Sequence, residues 1–248
     1  MSIILKTEEE IAIMKEGGKI LHDILHSLKE KITPGIKTYE LEEYAQKLFK
    51  KYGVEAAFKG YQGYPAAICT SVNEEVVHSV PGNRILREGD IISIDAGVRS
   101  KGLITDSAIT VKVGNVAPRI SKFIETCEKA LQKAIDTVRP GIHVVEIGTV
   151  IQEIVEGAGY SIVKDLIGHG VGKTLHEDPE VPNFKTPYKG PILEVGTTFA
   201  IEPIMAMGEG EIETLDDKWT IVTRDRSVAV QVEHTVAITP NGCEVLTK

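Results

Sequence analysis

The sequence predicts an α+β chain of two similar halves, each a pair of helices followed by strands. Three observations carry that reading. A stretch of chain recurs at an offset of 106: Pro34-Gly35-Ile36-Lys37-Thr38-Tyr39-Glu40-Leu41 matches Pro140-Gly141-Ile142-His143-Val144-Val145-Glu146-Ile147, and Gln46, Leu48 and Gly53 fall on Gln152, Ile154 and Gly159. Each copy follows one segment of helical periodicity and opens another. β-branched runs come after each helical pair. The match is short, and Pro-Gly with a downstream Glu is also ordinary helix-start chemistry. The halves divide at about 1–115 and 116–248 and read as one domain.

The elements follow in order. Thr7-x-x-Glu10 is a capping box, in which Thr takes a backbone N–H and Glu reaches back to the cap. Behind it, Ile11, Met14, Leu21, Ile24, Leu25 and Leu28 recur at three- and four-residue steps, a single buried stripe. The first copy of the repeat opens the second helix. Runs 91–98 and 103–113 read as strands joined by a hairpin at Arg99-Ser100-Lys101-Gly102. A third helix begins after Pro118 and carries Ile120, Phe123, Ile124, Cys127, Leu131 and Ile135; the second copy opens a fourth. Runs 161–165, 196–202 and 227–239 complete the strands.

Composition narrows the function. With 42% hydrophobic and 26% charged residues the 248-residue chain is of globular type. A net charge of -8 and a pI near 5.5 argue against a general nucleic-acid or anionic-membrane binder, which needs clustered Lys and Arg. No run approaches the roughly 18–20 apolar residues that span a bilayer, and acidic residues arrive before a signal-peptide core could form. Cys69, Cys127 and Cys243 are odd in number and form no CxxC, which points to a reducing cytoplasm.

Four carboxylates stand where strands disfavour them. Asp95 lies inside Ile91-Ile92-Ser93-Ile94-Asp95-Ala96-Gly97-Val98, and Asp106 inside Leu103-Ile104-Thr105-Asp106-Ser107-Ala108. With Ser100 and Lys101 as the turn residues, the two aspartates face each other directly, a destabilising pair of like charges. Ser-Lys is not a favoured two-residue turn, but an even shift of register still leaves both on one face. Solvent exposure would explain either aspartate alone, and explains a facing pair flanked by isoleucines less well. Glu202 ends a β-branched run just before Pro203. Glu233 shares a strand face with Ala229, Gln231, Thr235 and Ala237, and by itself reads as a solvent-facing residue of an alternating strand.

Histidines supply nitrogen. His169 sits in Gly168-His169-Gly170-Val171-Gly172, where glycines let the backbone bend around one side chain. His176 lies in Leu175-His176-Glu177-Asp178-Pro179, and His78 in Val76-Val77-His78-Ser79. Each alone is more often a satisfied, partly buried histidine. Together, two Asp, two Glu and a His can hold two divalent cations with near-neutral total charge. Without metal the carboxylates would repel and be driven to bind protons. The absence of thiolate points to Mn, Fe, Co or Zn. Paired metals activate water and stabilise an oxyanion, so the chemistry suggested is hydrolysis.

The order Asp95, Asp106, His169, Glu202, Glu233, with the segments GHGVGKTLHEDPEVPN, IEP and EHT, resembles the methionine aminopeptidase family from about residue 7 to 246. The resemblance implies a pita-bread fold of the creatinase and aminopeptidase type. Its two pseudo-symmetric halves have antiparallel sheet inside and helices outside, in a single catalytic domain. It implies two divalent metal ions (Co, Mn, Fe or Zn), with Asp106 and Glu233 bridging them, Asp95 on one, and His169 with Glu202 on the other. Glu202 would also shuttle the proton from water to the leaving amine. His176 would steady the scissile amide and His78 would contact substrate beside it. Tyr61, Tyr64, Cys69 and Trp219 would form the methionine pocket, suited to a thioether. The implied reaction removes initiator methionine, by preference before a small second residue. The implied partners are the N-termini of nascent polypeptides, met at the ribosome, with no nucleic acid and no membrane; monomer is the default. Leu175 replaces a Phe found in many members, and Ser79 a usual Gly. Glu202 and Glu233 lie 31 positions apart, too close for the insertion of the second type, so the chain is similar to type I.

Competing readings are weaker. Gly172-Lys173-Thr174 resembles the end of a phosphate loop, but that pattern needs glycine at 167, where Ile167 stands. A proline-specific peptidase of the same fold is the enzymatic rival. A silent binding module would be expected to lose ligands, and all five are kept.

Overall fold

In the computed structural model, which describes residues 2–248, helices cover one side of a curled antiparallel sheet whose other side carries the polar residues singled out above. The helices are α1 (Glu8–Lys29), α2 (Thr38–Tyr52), α3 (Pro118–Thr137) and α4 (Val144–Gly157). The strands of the first half are β1 (Glu55–Ala56), β2 (Ile68–Val72), β3 (Glu75–Val77), β4 (Ile91–Ser100) and β5 (Leu103–Lys112). Those of the second are β6 (Ser161–Ile162), β7 (Gly168–Gly170), β8 (Glu177–Val181), β9 (Thr198–Ile201), β10 (Ile204–Ala206), β11 (Ile212–Thr214), β12 (Ile221–Thr223), β13 (Ala229–Gln231), β14 (Glu233–Thr239) and β15 (Gly242–Val245).

Local chemistry explains the helices. Thr7 Oγ1 accepts from the Glu10 amide at 3.2 Å while Glu10 accepts from the Thr7 amide at 3.0 Å, the reciprocal box read from the sequence. Met14, Leu21, Ile24, Leu25 and Leu28 of α1 are buried, and Ile11 is half-buried. Pro118 occupies the first turn of α3, where its missing N–H costs nothing. The starts of α2 and α4 are offset by 106, as in the sequence match. In both, a third-position glutamate accepts from the cap amide at 2.8 Å: Glu40 from Lys37, Glu146 from His143. The Gly35 and Gly141 amides donate to Leu86 and Leu193, each at 2.8 Å.

The main sheet runs β1-β4-β5-β14-β9-β7-β8, with β2 also on β4 and β15 on β14. Its helix-facing side is the core. Ile92, Ile94, Ala96 and Val98 pack with α1 and α2, and Phe199, Ile201, Val236 and Ile238 pack with α3 and α4. Gly18 brings α1 against the C-terminal segment so closely that a Cβ there would lie 2.2 Å from the Leu246 carbonyl.

Two expectations are corrected. The hairpin pairs Ser100 with Leu103, so Lys101 and Gly102 form the turn, with φ of 49° and 84°. Two positive φ values make a type I′ turn, which suits strand twist and which Gly102 adopts at no cost. Asp95 therefore faces Ala108, and Asp106 faces Gly97. The shift is even, so both aspartates stay on one face. The run 227–239 is not one strand: β13 pairs with β10 in a small sheet, Val232 intervenes, and β14 joins the main sheet.

Candidate metal centre and substrate cavity

Five adjacent strands of the inner face position the candidate ligands. Asp95 is on β4, Asp106 on β5 and Glu233 on β14; Glu202 follows β9, and His169 is central in β7. Register aligns them. Ala108 pairs with Asp95 on one side and Glu233 on the other, so a small side chain leaves a hollow between two carboxylates. Glu202 lies one step beyond the pair Ile201–His234, which sets it against Glu233. Thr235 fixes β14 to β5: its hydroxyl donates to the Asp106 carbonyl at 2.7 Å and accepts from the Asp106 amide at 2.8 Å. Ser107 Oγ donates to the Glu233 carbonyl at 2.7 Å.

The glycines around His169 act differently from the expected bend. They admit neighbouring backbone: a Cβ on Gly168 would lie 2.4 Å from the Ala200 carbonyl oxygen, and one on Gly170 2.2 Å from that of Asp178. His169 Nδ1 donates to the Gly170 carbonyl at 2.9 Å, which leaves Nε2 as the ring's free lone pair. Nε2 lies 3.9 Å from Asp106 Oδ2 and 3.7 Å from Glu202 Oε1. Burial, reinforced by His176, lowers the His169 pKa to about 3, so the imidazole is neutral.

The carboxylates are buried as well. Glu233 is 2% exposed, so the solvent-facing reading of that strand is wrong; the polar face of the alternation looks into a cavity, not bulk water. Burial raises the pKa of Asp95, Asp106, Glu202 and Glu233. Nearby like charge adds to it: Asp95 acts on Asp106 and Glu202, and Asp106 on Glu233. Among the described residues, Asp95 Oδ1, Asp106 Oδ1 and Glu233 Oε1 have no hydrogen-bond donor. Ligand atoms of Asp106, His169 and Glu233 lie within 4.8 Å of one another. Buried, unpartnered anionic oxygens beside a neutral imidazole are unfavourable alone and fit divalent cations.

A cavity of about 530 Å³ holds every residue the sequence singled out for the site. Tyr64 is buried, its ring edge-on to Trp219 with centroids 5.1 Å apart, and its hydroxyl reaches the carbonyls of Ile68 and Ser79 at 3.1 and 3.2 Å. Cys69 pairs with Asp95 across β2 and β4, and burial raises its thiol pKa, which keeps it an apolar wall. Tyr61 hydrogen-bonds His176 Nδ1 at 2.8 Å, so it orients a histidine as well as lining the pocket. His78 has φ of 58°, a left-handed strain met at functional positions. It lines the cavity at an exposed position, and desolvation by the surrounding wall, with His176 nearby, lowers its pKa to about 4. Leu175 is a buried wall residue, and Ser79 is buried beside Tyr64.

The cavity wall also includes residues that the sequence reading did not assign to the site, Gln231 and Phe58 among them. Gln231 donates to Glu202 Oε2 at 3.3 Å. It shares the Glu233 face of the alternation, a signal that was legible. Phe58 lies in a loop with no periodicity to mark it.

Comparison with known proteins agrees with this arrangement. Residues 12–240 match the model of metallopeptidase family M24. A methionine aminopeptidase of Clostridium perfringens is 46% identical, over 99% of this chain and 98% of its own length. The crystal structure of methionine aminopeptidase from Thermotoga maritima superposes with a TM-score of 0.97 at 43% identity, covering 100% of both chains. A prolidase of Pyrococcus horikoshii gives 0.81 at 26% identity; the match covers 99% of this chain but 63% of that one.

Proposed function

The chain belongs to metallopeptidase family M24, and on that premise we propose that it is a type I methionine aminopeptidase, a hydrolase that releases N-terminal methionine from polypeptides. The observation that carries this is the convergence of Asp95, Asp106, His169, Glu202 and Glu233 in a cavity that Tyr61, Tyr64, Cys69 and Trp219 also line. The fold is the pita-bread fold of its structural neighbours.

In this reading Asp95, Asp106, His169, Glu202 and Glu233 would together hold two divalent ions, Co, Mn, Fe or Zn, with Asp106 and Glu233 as the carboxylates shared between them. When bound, the ions would acidify water and polarise the scissile carbonyl. Glu202 takes the proton of the attacking water and delivers it to the leaving amine. Gln231 steadies that carboxylate through its 3.3 Å hydrogen bond. His176, held at Nδ1 by Tyr61, offers its other nitrogen to the scissile amide and its developing charge. His78 contacts the substrate beside that bond. Tyr64, Cys69 and Trp219 take the methionine side chain, an apolar thioether against aromatic faces and a neutral thiol. A small second residue is preferred.

The reading includes residues 1–248 working as one catalytic domain of two halves, about 1–115 and 116–248. It places a monomer in the cytoplasm, meeting nascent chains at the ribosome. The three free cysteines suit a reducing compartment.

Amino-acid release from matched peptides beginning Met-Ala, Met-Lys and Ala-Pro tests the assignment. Methionine should leave Met-Ala alone, stop on chelation and resume with Mn or Co. Cleavage before proline would move the chain to the prolidase branch, and silence with every metal would defeat the enzymatic reading.

A further inference from the structure

Lys6 is buried, yet the chemistry above gives it no task. Its side chain has 0% exposure and that of its partner Glu177 2%. The ammonium is bonded to Glu177 Oε2 and donates to the Ile4 carbonyl at 2.9 Å. Burial lowers the pKa of Lys6, and Glu177 opposes that shift. A buried ion pair contributes little net stability, because desolvation offsets the attraction. What such a pair does supply is fixed geometry.

The geometry fixed here is that of segment 172–177, which presents His176. Glu177 Oε1 accepts from the Thr174 amide at 2.9 Å, and Thr174 Oγ1 donates to the His176 carbonyl at 2.9 Å. Gly172 lies hard against the lysine stem, since a Cβ there would sit 2.3 Å from Lys6 Cε. Further anchors hold both strips of chain. The Ile104 amide donates to the Gly172 carbonyl at 2.8 Å, Lys173 pairs with Glu10, and the Lys6 amide donates to the Gly196 carbonyl at 2.8 Å. On the cavity side, the His176 ring meets Tyr61 at 2.8 Å and stands edge-on to His169, with centroids 4.2 Å apart. The imidazole is therefore set from two directions: Tyr61 fixes the ring, and Lys6 with Glu177 fixes the backbone that carries it.

We propose that Lys6 is a positioning residue, acting through Glu177 to place His176 against the scissile amide. The inference rests on the aminopeptidase reading, in which His176 touches substrate. It assigns the strap at residues 2–7 a part in turnover although it lines no part of the cavity.

Two variants separate positioning from stability. Lys6→Met removes the charge and keeps the stem. Lys6→Met with Glu177→Leu replaces the whole pair by apolar side chains, an exchange that is commonly neutral or stabilising; it therefore folds if the single variant does not. Both are measured in the full chain for melting temperature, for kcat and KM on a Met-Ala peptide with Mn, and for amide hydrogen exchange at Thr174. We expect kcat to fall about 10- to 100-fold with KM held within about twofold, and Thr174 exchange to quicken in both. A folded variant that keeps wild-type kcat, or slow exchange at Thr174, overturns the proposal. A wild-type chain that releases no methionine defeats the aminopeptidase reading instead, while the exchange measurement still decides whether Lys6 sets the segment.

Discussion

Asp95, Asp106, Glu202 and Glu233 stand in one cavity with their pKa values raised by burial, those of Asp106, Glu202 and Glu233 also by neighbouring carboxylates, and several of their oxygens lack a hydrogen-bond donor among the described residues. Such a cluster is held against its own preference, and a cation is what relieves it. Removing one of the two carboxylates proposed to hold both ions should therefore cost several kcal/mol of transition-state stabilisation. Asp106→Ala and Glu233→Ala are each expected to lower kcat/KM by about 10³-fold or more in stoichiometric metal. The metal-free Asp106→Ala protein should melt no lower than metal-free wild type, because it removes one member of a carboxyl cluster that burial and like charge disfavour. Turnover and melting on the same preparations check both statements. These residues were legible in the sequence because Asp and Glu inside β-branched runs contradict strand propensity. The burial of Glu233 was not, since alternation reports that one face is polar and cannot tell a cavity from bulk solvent. Gln231 was overlooked because glutamine on such a face is unremarkable until its neighbours are known.

Elements deliver those side chains through register and close approach. The helix starts could be read to within a few residues, because Thr7, Pro118 and the two Pro-Gly copies are local start chemistry. The hairpin register came out two residues away from the expected one. Lys101-Gly102, not the expected Ser100-Lys101, forms the turn and supplies the two positive φ values. Short strands such as β3, β7 and β10 have too few residues to show a period, so their pairing had to come from tertiary structure. At this scale the sharpest prediction concerns β7. Gly170→Ala places a methyl 2.2 Å from the Asp178 carbonyl oxygen, forcing β7 from the adjoining chain and displacing His169. A loss of about 1–3 kcal/mol in denaturant unfolding is expected, together with weaker metal binding by calorimetry. An unchanged midpoint with unchanged metal affinity would show that β7 has slack.

At the scale of the molecule, two helix pairs cover the outside of one curled sheet, and the candidate centre sits on the inside where strands from both halves meet. Asp95 and Asp106 come from the first half; His169, Glu202 and Glu233 come from the second. Metal should then bind the folded chain alone and stabilise it by mass action. At 100 times Kd the gain is about 2.7 kcal/mol, or a rise of roughly 5–10 °C in melting temperature. Differential scanning calorimetry with and without chelator checks this, and equal midpoints at saturating metal would count against a preformed site. The 106-residue offset made the doubled arrangement readable; how the halves face each other was not, because that depends on contacts between residues far apart in sequence.

The most direct measurement is methionine release from a Met-Ala peptide as Mn is titrated into chelator-stripped protein. The account predicts no release without metal, a rise as metal is added and a plateau once the centre is filled. Full release by the stripped protein, independent of added metal, would contradict it.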